Sequence, residues 1–585
     1  VNDDGKPTHI LIEGDNYHAL TCLNYTHKGK IDVIYIDPPY NTGETKGREI
    51  FKYRDKRIMS EFPDGTPVPK DSPFRHSYWL SFMHKRLEIA KELLSETGVA
   101  IIHMDENELY NLGLLLANSV FGEKNDLGIM VWNKLNPKGD AKGVASMHEY
   151  ILCYAKNRGA FLELKNTLNR PKPNAVSIID KANKLFSKIG NKTIPDEIKE
   201  IIKPFNYSKD IIEDFIVEYD LKLVNKEFQA WLDRQNFSGG EKAYKFIDNN
   251  GIVFQSVSMA WPNKEKAPDE YFIPLKHPIT GKDCPVPKRG WRNPPDTMQK
   301  LLENGGTETL YDGTVCKGEI LFGKDEKKQP RRKYILKENM FENTPSIFAN
   351  GSSDDTFFEA LGLEFPYAKP VSVASYLINT VHPNPQIILD FFSGSGTTGH
   401  AVMALNKRDF KNRQYILVTN DENKICSEVC YPRLKFVKDG FKNRKTKFIL
   451  NGIGNSLKYY TTEFVGDHNI LSANDSDKTE LAHHAGEMLA IAENTLYEME
   501  EYQTDFYQFF QNEKHYTAVY FREELEQFEE FRVKVLALEN PVSVYVFSWG
   551  ENEFADQFDD RDDIEVKPIP QPILEVYKTI FNLSD

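Results

Sequence analysis

Two short stretches of the chain gather residue types that can do chemistry. The first is Asp37-Pro38-Pro39-Tyr40. The exocyclic amine of a nucleobase is a poor nucleophile, because its lone pair is delocalised into the ring. A carboxylate at Asp37 and the Pro38 carbonyl, each accepting one N–H, draw that nitrogen toward tetrahedral geometry. Two prolines hold the acceptors in place beforehand, and the Tyr40 ring can stack on the base. A base inside a duplex is out of reach and must first rotate out, at roughly a few kcal/mol of unstacking. The second stretch, Asp390-Phe-Phe-Ser-Gly394-Ser-Gly396-Thr-Thr-Gly399, matches G-x-G-x-x-G. Asp421 and Glu422 follow about twenty positions later, after the next apolar run. Glycines let the backbone close on a ligand, and an acid at the end of the neighbouring strand can hold ribose hydroxyls. Nicotinamide cofactors and S-adenosylmethionine both fit such a turn. Asp390, directly before Phe391, favours the second, since a sulfonium gives a carboxylate a cationic centre to attract.

The elements that must position these stretches follow an alternating pattern. Ile31–Ile36 is a β-rich run that the prolines halt, which puts Asp37 at a strand's carboxyl end. Leu80, Met83, Leu87, Ala90 and Leu94 share one face of a helix over Trp79–Leu94, followed by a strand at Val99–His103. A helix near 106–117 and a strand at Tyr150–Tyr154 continue the series. The rhythm is lost between about 160 and 345 and resumes with a strand at Ile387–Asp390, a helix from Gly399 and a strand at Gln414–Thr419. The expected fold class is therefore α/β with an interrupted parallel sheet. A further α/β segment from about 455 reads as helix 477–500, strand Ala518–Phe521, helix 522–538 and strand Val542–Phe547.

Composition sets the outer limits. With 585 residues, several cores are expected, and 40% hydrophobic with 27% charged residues excludes a globally disordered chain. Six widely spaced cysteines make neither a disulfide framework nor a metal cluster. No apolar run is long enough to span a membrane, so the chain reads as a soluble, cytoplasmic protein. The net charge of −14 is unevenly placed: residues 451–585 hold 28 acidic and 9 basic side chains, residues 1–450 hold 59 and 64. An acidic tail of this kind suits a protein contact, whereas the 14 basic residues against 8 acidic between 276 and 337 suit phosphate contacts.

Taken together, these residues resemble the amino-methyltransferases of DNA in the circularly permuted order of the β class, where the Asp-Pro-Pro-Tyr segment precedes the Phe-x-Gly-x-Gly segment. His148-Glu149-Tyr150, Phe365-Pro-Tyr-Ala-Lys369-Pro370 and Gly14-Asp15-Asn16 are similar to further elements of that family. His277 to Lys282, Gly290-Trp291-Arg292, Phe322 to Asp325 and the ending Pro568 to Tyr577 resemble the Mod subunits of type III restriction–modification systems. The resemblance implies a permuted Rossmann-like S-adenosylmethionine-dependent methyltransferase sheet. Its first half is at 1–160, an inserted target-recognition region at 161–345, its second half at 346–450, and a separate C-terminal α/β interaction domain at 451–585. It implies adenine handling by Asp37, Pro38, Pro39 and Tyr40. It implies donor contacts from Asp390, Phe391, Phe392, Gly394, Gly396, Thr397, Asp421, Glu422, Lys369 and Asp15. Lys288, Arg289, Arg292, Arg331, Arg332 and Lys333 are the expected DNA contacts, with Trp261 or Trp291 as a wedge or, alternatively, as core. No metal is implied. Expected partners are double-stranded DNA, a second copy of the chain and a restriction subunit carrying the helicase and nuclease, since no G-x-x-x-x-G-K-[ST] segment is present. The alternatives are a solitary epigenetic methyltransferase, a catalytically silent DNA-recognition scaffold and a nicotinamide dehydrogenase.

Overall fold

The computed structural model describes residues 7–41, 74–136, 144–195, 198–199, 215–365, 368–443, 448–462, 485–521, 525–546, 554–559 and 561–568. Expectations that fall on Thr42, Gly43, Pro366, Tyr367, 477–484, 522–524 and 569–577 lie outside them. The chain divides into two compact units, residues 1–168 with 344–585, and residues 169–343. Among the described residues, no helix is long and apolar enough to cross a membrane.

The first unit is built on a nine-stranded sheet. Its strands run Ile347–Ala349, Asp126–Asn133, His148–Ala155, Leu94–Met104, Ile31–Ile36, Ile387–Asp390, Gln414–Thr419, Thr8–Glu13 and Ser456–Thr461 in spatial order. All neighbours are parallel except His148–Ala155, which is antiparallel to both of its neighbours. Strands 31–36 and 94–104 are joined through helix Phe74–Leu93, and strands 387–390 and 414–419 through helix Thr397–Asp409. From the central pair, one half of the sheet grows outward through 94–104 and the other through 414–419. The chain therefore reverses its winding between Ile31–Ile36 and Ile387–Asp390, which pair with Ile388 opposite Val33. In open α/β sheets, the crevice beyond the carboxyl ends at such a reversal is where ligands bind. This is the interrupted α/β sheet expected from the sequence, but it is mixed rather than parallel throughout, because the strand at Tyr150–Tyr154 runs against both of its neighbours.

Continuous apolar runs are what a sheet covered on both faces requires. Ile34 and Ile36 pack against Trp79, Met83 and Leu87 on one side, while Val33 and Tyr35 pack with Val373, Leu377 and Val402 on the other. The sheet extends beyond residue 450, because Ser456–Thr461 lies beside Thr8–Glu13 along six residue pairs. After it, residues 485–493 are helical. Asn494, at a φ of 57°, ends that helix, so the expected helix to 500 gives way to strand Tyr497–Glu498. A five-stranded sheet of Tyr497–Glu498, Tyr507–Gln511, Tyr516–Tyr520, Val542–Val546 and Ile564–Pro568 completes the unit, with helix Phe528–Leu536 crossing between two of its parallel strands.

The second unit carries a six-stranded sheet, antiparallel throughout, in the order Thr307–Thr309, Val315–Lys317, Ile320–Leu321, Arg331–Ile335, Val253–Ser258 and Phe246–Ile247. Helices Ala175–Phe186 and Leu221–Arg234 share its core through Ile178, Leu185, Val224 and Phe228.

Candidate active site

Asp37 leaves the carboxyl end of strand Ile31–Ile36 at the sheet's reversal point, and its carboxylate meets two donors of the chain itself. The Tyr40 hydroxyl donates to Oδ1 at 2.7 Å, and Lys369 Nζ reaches Oδ2 at 2.8 Å. Lys369 also lies 3.3 Å from Glu149 Oε2, and its ammonium sits 4.9 Å from the centroid of the Tyr40 ring. Glu149 is buried on strand His148–Ala155, and Lys134 closes the cluster from its other oxygen. Burial opposes its charge, but Lys369, His103 and Lys134 together outweigh burial and hold the Glu149 carboxyl well below the usual carboxylate range. For Lys369, burial is likewise overcome by Asp37 and Glu149, which raise its pKa above the ordinary lysine value. The indole of the buried Trp79 donates to the Pro39 carbonyl at 2.8 Å and so pins the proline turn to helix Phe74–Leu93.

The glycine stretch occupies the end of the neighbouring strand. Gly396 has a φ of 79° and caps helix Thr397–Asp409, a conformation that side chains rarely tolerate; a Cβ there would also meet Cys430 Sγ at 3.0 Å. A Cβ on Gly399 would meet Leu434 Cδ2 at 2.6 Å, so that helix lies tight against the one carrying Leu434. Asp390 is buried; its carboxyl accepts from Phe392 N at 3.0 Å and from Thr398 Oγ1 at 2.5 Å. Burial pushes it up to about 7, the two hydrogen bonds resist, and the charge of Asp37 adds to the rise. Asp37 and Asp390 are thus two acids that repel each other at the carboxyl ends of neighbouring strands.

Asp15 stands at the start of helix Asn16–His27, where its carboxylate accepts from Tyr17 N at 2.9 Å and meets Arg86 Nη2 at 3.4 Å. The next residue, Asn16, donates to the Phe391 carbonyl at 2.9 Å, so the Gly-Asp turn and the glycine stretch are held together. Phe391 is buried in the sheet core, and Phe392 lies 6.1 Å from Phe82. Thr397 Oγ1 donates to the Lys369 carbonyl at 3.1 Å, which ties the glycine stretch to the lysine that meets Asp37. Asp421 has both carboxylate oxygens on Ser427, and Glu422 begins a single 3₁₀ turn. Gly394 has a φ of 49°.

Sequence reasoning passed over several of these residues. Glu149 was noted only as part of the His148-Glu149-Tyr150 element and was given no role; an acid leading into an otherwise apolar strand was the available sign. Arg433 was not singled out, yet it is fully buried and grips the loop. Its Nη1 donates to Ser395 Oγ at 3.0 Å and Thr397 Oγ1 at 2.9 Å, and its Nη2 reaches Asp354 at 2.9 Å. Lys369, expected at the donor, is found on Asp37.

In the second unit, Lys288, Arg289 and Arg292 are exposed. Arg331 is exposed and donates to Ser256, whereas Arg332 forms a two-pronged pair with Glu319. Lys333 corrects the expectation: it is buried, with Nζ 2.7 Å from Asp248 and 2.8 Å from Glu308, and is a core ion pair rather than a DNA contact. Trp291 is buried and donates to the Ile273 carbonyl at 2.8 Å, so it is core and not a wedge.

Comparison with known proteins places this geometry. A family model described as DNA methylase matches residues 31–429. The chain is 30% identical over 433 residues to the Type III restriction-modification enzyme EcoP15I Mod subunit of Escherichia coli, covering 71% of this chain and 58% of that one. It covers 53% of the StyLTI Mod subunit of Salmonella typhimurium, so it spans little more than half the length of these relatives. It is 26% identical over 468 residues to the Type II methyltransferase M.KpnI of Klebsiella pneumoniae, with 76% and 91% of the two chains covered. The solved PvuII DNA methyltransferase (cytosine-N4-specific) aligns over 77% of this chain and 96% of its own at 9% identity, with a TM-score of 0.32. The family match runs from the strand before Asp37 through the glycine stretch and Asp421, and by it this chain belongs to the DNA methylase family.

Proposed function

We propose that the chain is a site-specific DNA adenine-N6 methyltransferase that uses S-adenosylmethionine and base flipping, and that it is the modification and sequence-recognition subunit of a type III restriction–modification system. The observation that carries this reading is the meeting of Asp37 and Asp390 at the sheet's reversal point. When bound, S-adenosylmethionine supplies an electrophilic methyl group on a sulfonium. The residues present fit it: burial, with a smaller addition from the charge of Asp37, keeps Asp390 partly protonated, and a cation beside it would offset that rise. Asp15, Asp390, Phe392, Gly394, Gly396 and Thr397 are the groups that would hold it, with Asp421 or Glu422 at its ribose. Asp37 and the Pro38 carbonyl accept the two hydrogens of the adenine amine, which turns its lone pair outward, and Tyr40 stacks on the flipped base. Residues 169–343 read the sequence, and the acidic residues beyond 451 face a second copy or a restriction partner.

Incubation with methyl-labelled S-adenosylmethionine and mixed double-stranded plasmid DNA, followed by sequencing of modified bases, tests this. Label on adenine N6 at one sequence is expected; tight DNA binding without transfer would instead identify a silent scaffold. The similarity to M.KpnI, a Type II methyltransferase covered over 91% of its length, favours a second reading, an enzyme that marks DNA with no restriction partner. Co-purification of a helicase–nuclease chain from the native host separates the two.

Two further results are expected. Because a cationic donor favours the ionised form of Asp390, donor affinity rises between about pH 6 and about pH 8, with a proton released on binding. The same raised pKa acts on folding with the opposite sign. The folded carboxyl keeps a proton that the unfolded one has lost, so this group's contribution to stability falls from the usual carboxylate range up to about pH 7. Calorimetric donor titrations across this range should show the rise, and Asp390→Asn should flatten it. In the second unit, Arg289→Ala weakens DNA binding and lowers the salt slope by about one. Lys333→Met lowers the melting temperature instead and leaves the slope of the folded protein unchanged.

A further inference from the structure

Both oxygens of the Asp37 carboxylate are taken by internal donors, Tyr40 Oη on Oδ1 and Lys369 Nζ on Oδ2. A base amine that is to donate to Asp37 must displace one of them. A displaced hydroxyl or ammonium left without a partner in a closed site is costly, and one left on the carboxylate competes with the base. Glu149 Oε2 already lies within reach of both, 3.2 Å from the Tyr40 hydroxyl and 3.3 Å from Lys369 Nζ. It is buried, it comes from a strand two places away in the sheet, and Lys134 holds its other oxygen.

We infer that Glu149 is a positioning residue for methyl transfer: it is the acceptor onto which Tyr40 and Lys369 move when the base amine takes their places on Asp37. This rests on the reading of the site given above and deepens it. The exchange keeps both displaced donors paired before and after base entry, and it conserves charge, since Lys369 passes from two carboxylates to one. Tyr40 is thereby freed from its bond to Asp37 as its ring turns to the base. Without the charge of Glu149, Lys369 has Asp37 as its one anionic partner among the described residues and stays on it.

The test is a mutant cycle on the full chain, read as the single-turnover rate of transfer from labelled S-adenosylmethionine to double-stranded DNA, with donor affinity and melting temperature measured for each variant. Glu149→Gln is expected to slow transfer about 10- to 100-fold with donor affinity within about threefold. Removing the competitor restores activity: Glu149→Gln with Lys369→Met is expected to be faster than Glu149→Gln alone by about fivefold or more. A merely structural role for Glu149 predicts the reverse, a double variant as slow as the single one or slower. If Glu149→Gln does not fold, Glu149→Asp compared with and without Lys369→Met gives the same sign. A rate for Glu149→Gln equal to that of the parent, or a double variant no faster than Glu149→Gln, overturns the inference while leaving the methyltransferase reading intact. Absence of transfer by the parent protein removes both.

Discussion

Asp37→Ala abolishes methyl transfer, by at least about 10³-fold, while leaving affinity for S-adenosylmethionine within about threefold. The expectation follows from where the side chain points. Its carboxylate faces Tyr40 and Lys369 rather than the backbone of the glycine stretch, so its loss removes an acceptor for the base and nothing that holds the loop. Lys369 keeps Glu149, and the fold survives. Single-turnover transfer and calorimetric donor binding, measured on the same preparation, separate the two effects. Comparable losses in both would mean that Asp37 serves the donor, contrary to its assignment to the base.

The second large effect belongs to Arg433→Met. This guanidinium is completely buried, and it joins Asp354 to Ser395 and Thr397. Burial pulls its pKa down to about 10 and Asp354 resists, so it stays charged at neutral pH. Removing it leaves Asp354 uncompensated, and because that acid is only partly buried the cost falls below the full buried-pair penalty, at about 2–3 kcal/mol. Donor binding should weaken as well, because the loop residues released, Ser395 and Thr397, flank Gly396. Arg413→Met supplies the contrast, since that buried arginine pairs with Asp409 at the far end of the same helix. Both variants should melt earlier, and Arg433→Met alone should bind donor more weakly below its melting point. Equal donor affinities would show that the loop holds its shape without the arginine.

The sequence announced its strands well because each central one is a short apolar run closed by a breaker, as Ile31–Ile36 is by Pro38. Asp37 and the glycine stretch were legible for the same reason: a catalytic turn at a strand end is local, and its residues are consecutive. Glu149, Lys333 and Arg433 were not legible, or were misread. A charged side chain among apolar neighbours is defined by partners that arrive from elsewhere, Asp248 and Glu308 for Lys333, Lys369 and Tyr40 for Glu149. Lys333 follows Arg331 and Arg332 in a basic run and shares a pleat face with the exposed Arg331, so alternation does not mark it; only Asp248 and Glu308 distinguish the lysine that turns inward. Helix 477–500 was overextended because Asn494 reads as an ordinary helical residue until its backbone angle is seen.

The order of the nine strands also bears on how the chain assembles as it is made. Thr8–Glu13 leaves the ribosome long before its neighbours in the sheet, Gln414–Thr419 and Ser456–Thr461. It must therefore wait for roughly 400 residues of synthesis, tens of seconds at ordinary elongation rates, with two unpaired edges. The reaction centre has the same delay, since Ile388 reaches Val33 only late. The compact block 169–343 is complete before then. A nascent chain of this design can finish its inserted unit early while its catalytic crevice is still open, and chaperones that cover bare strands should matter most in that interval.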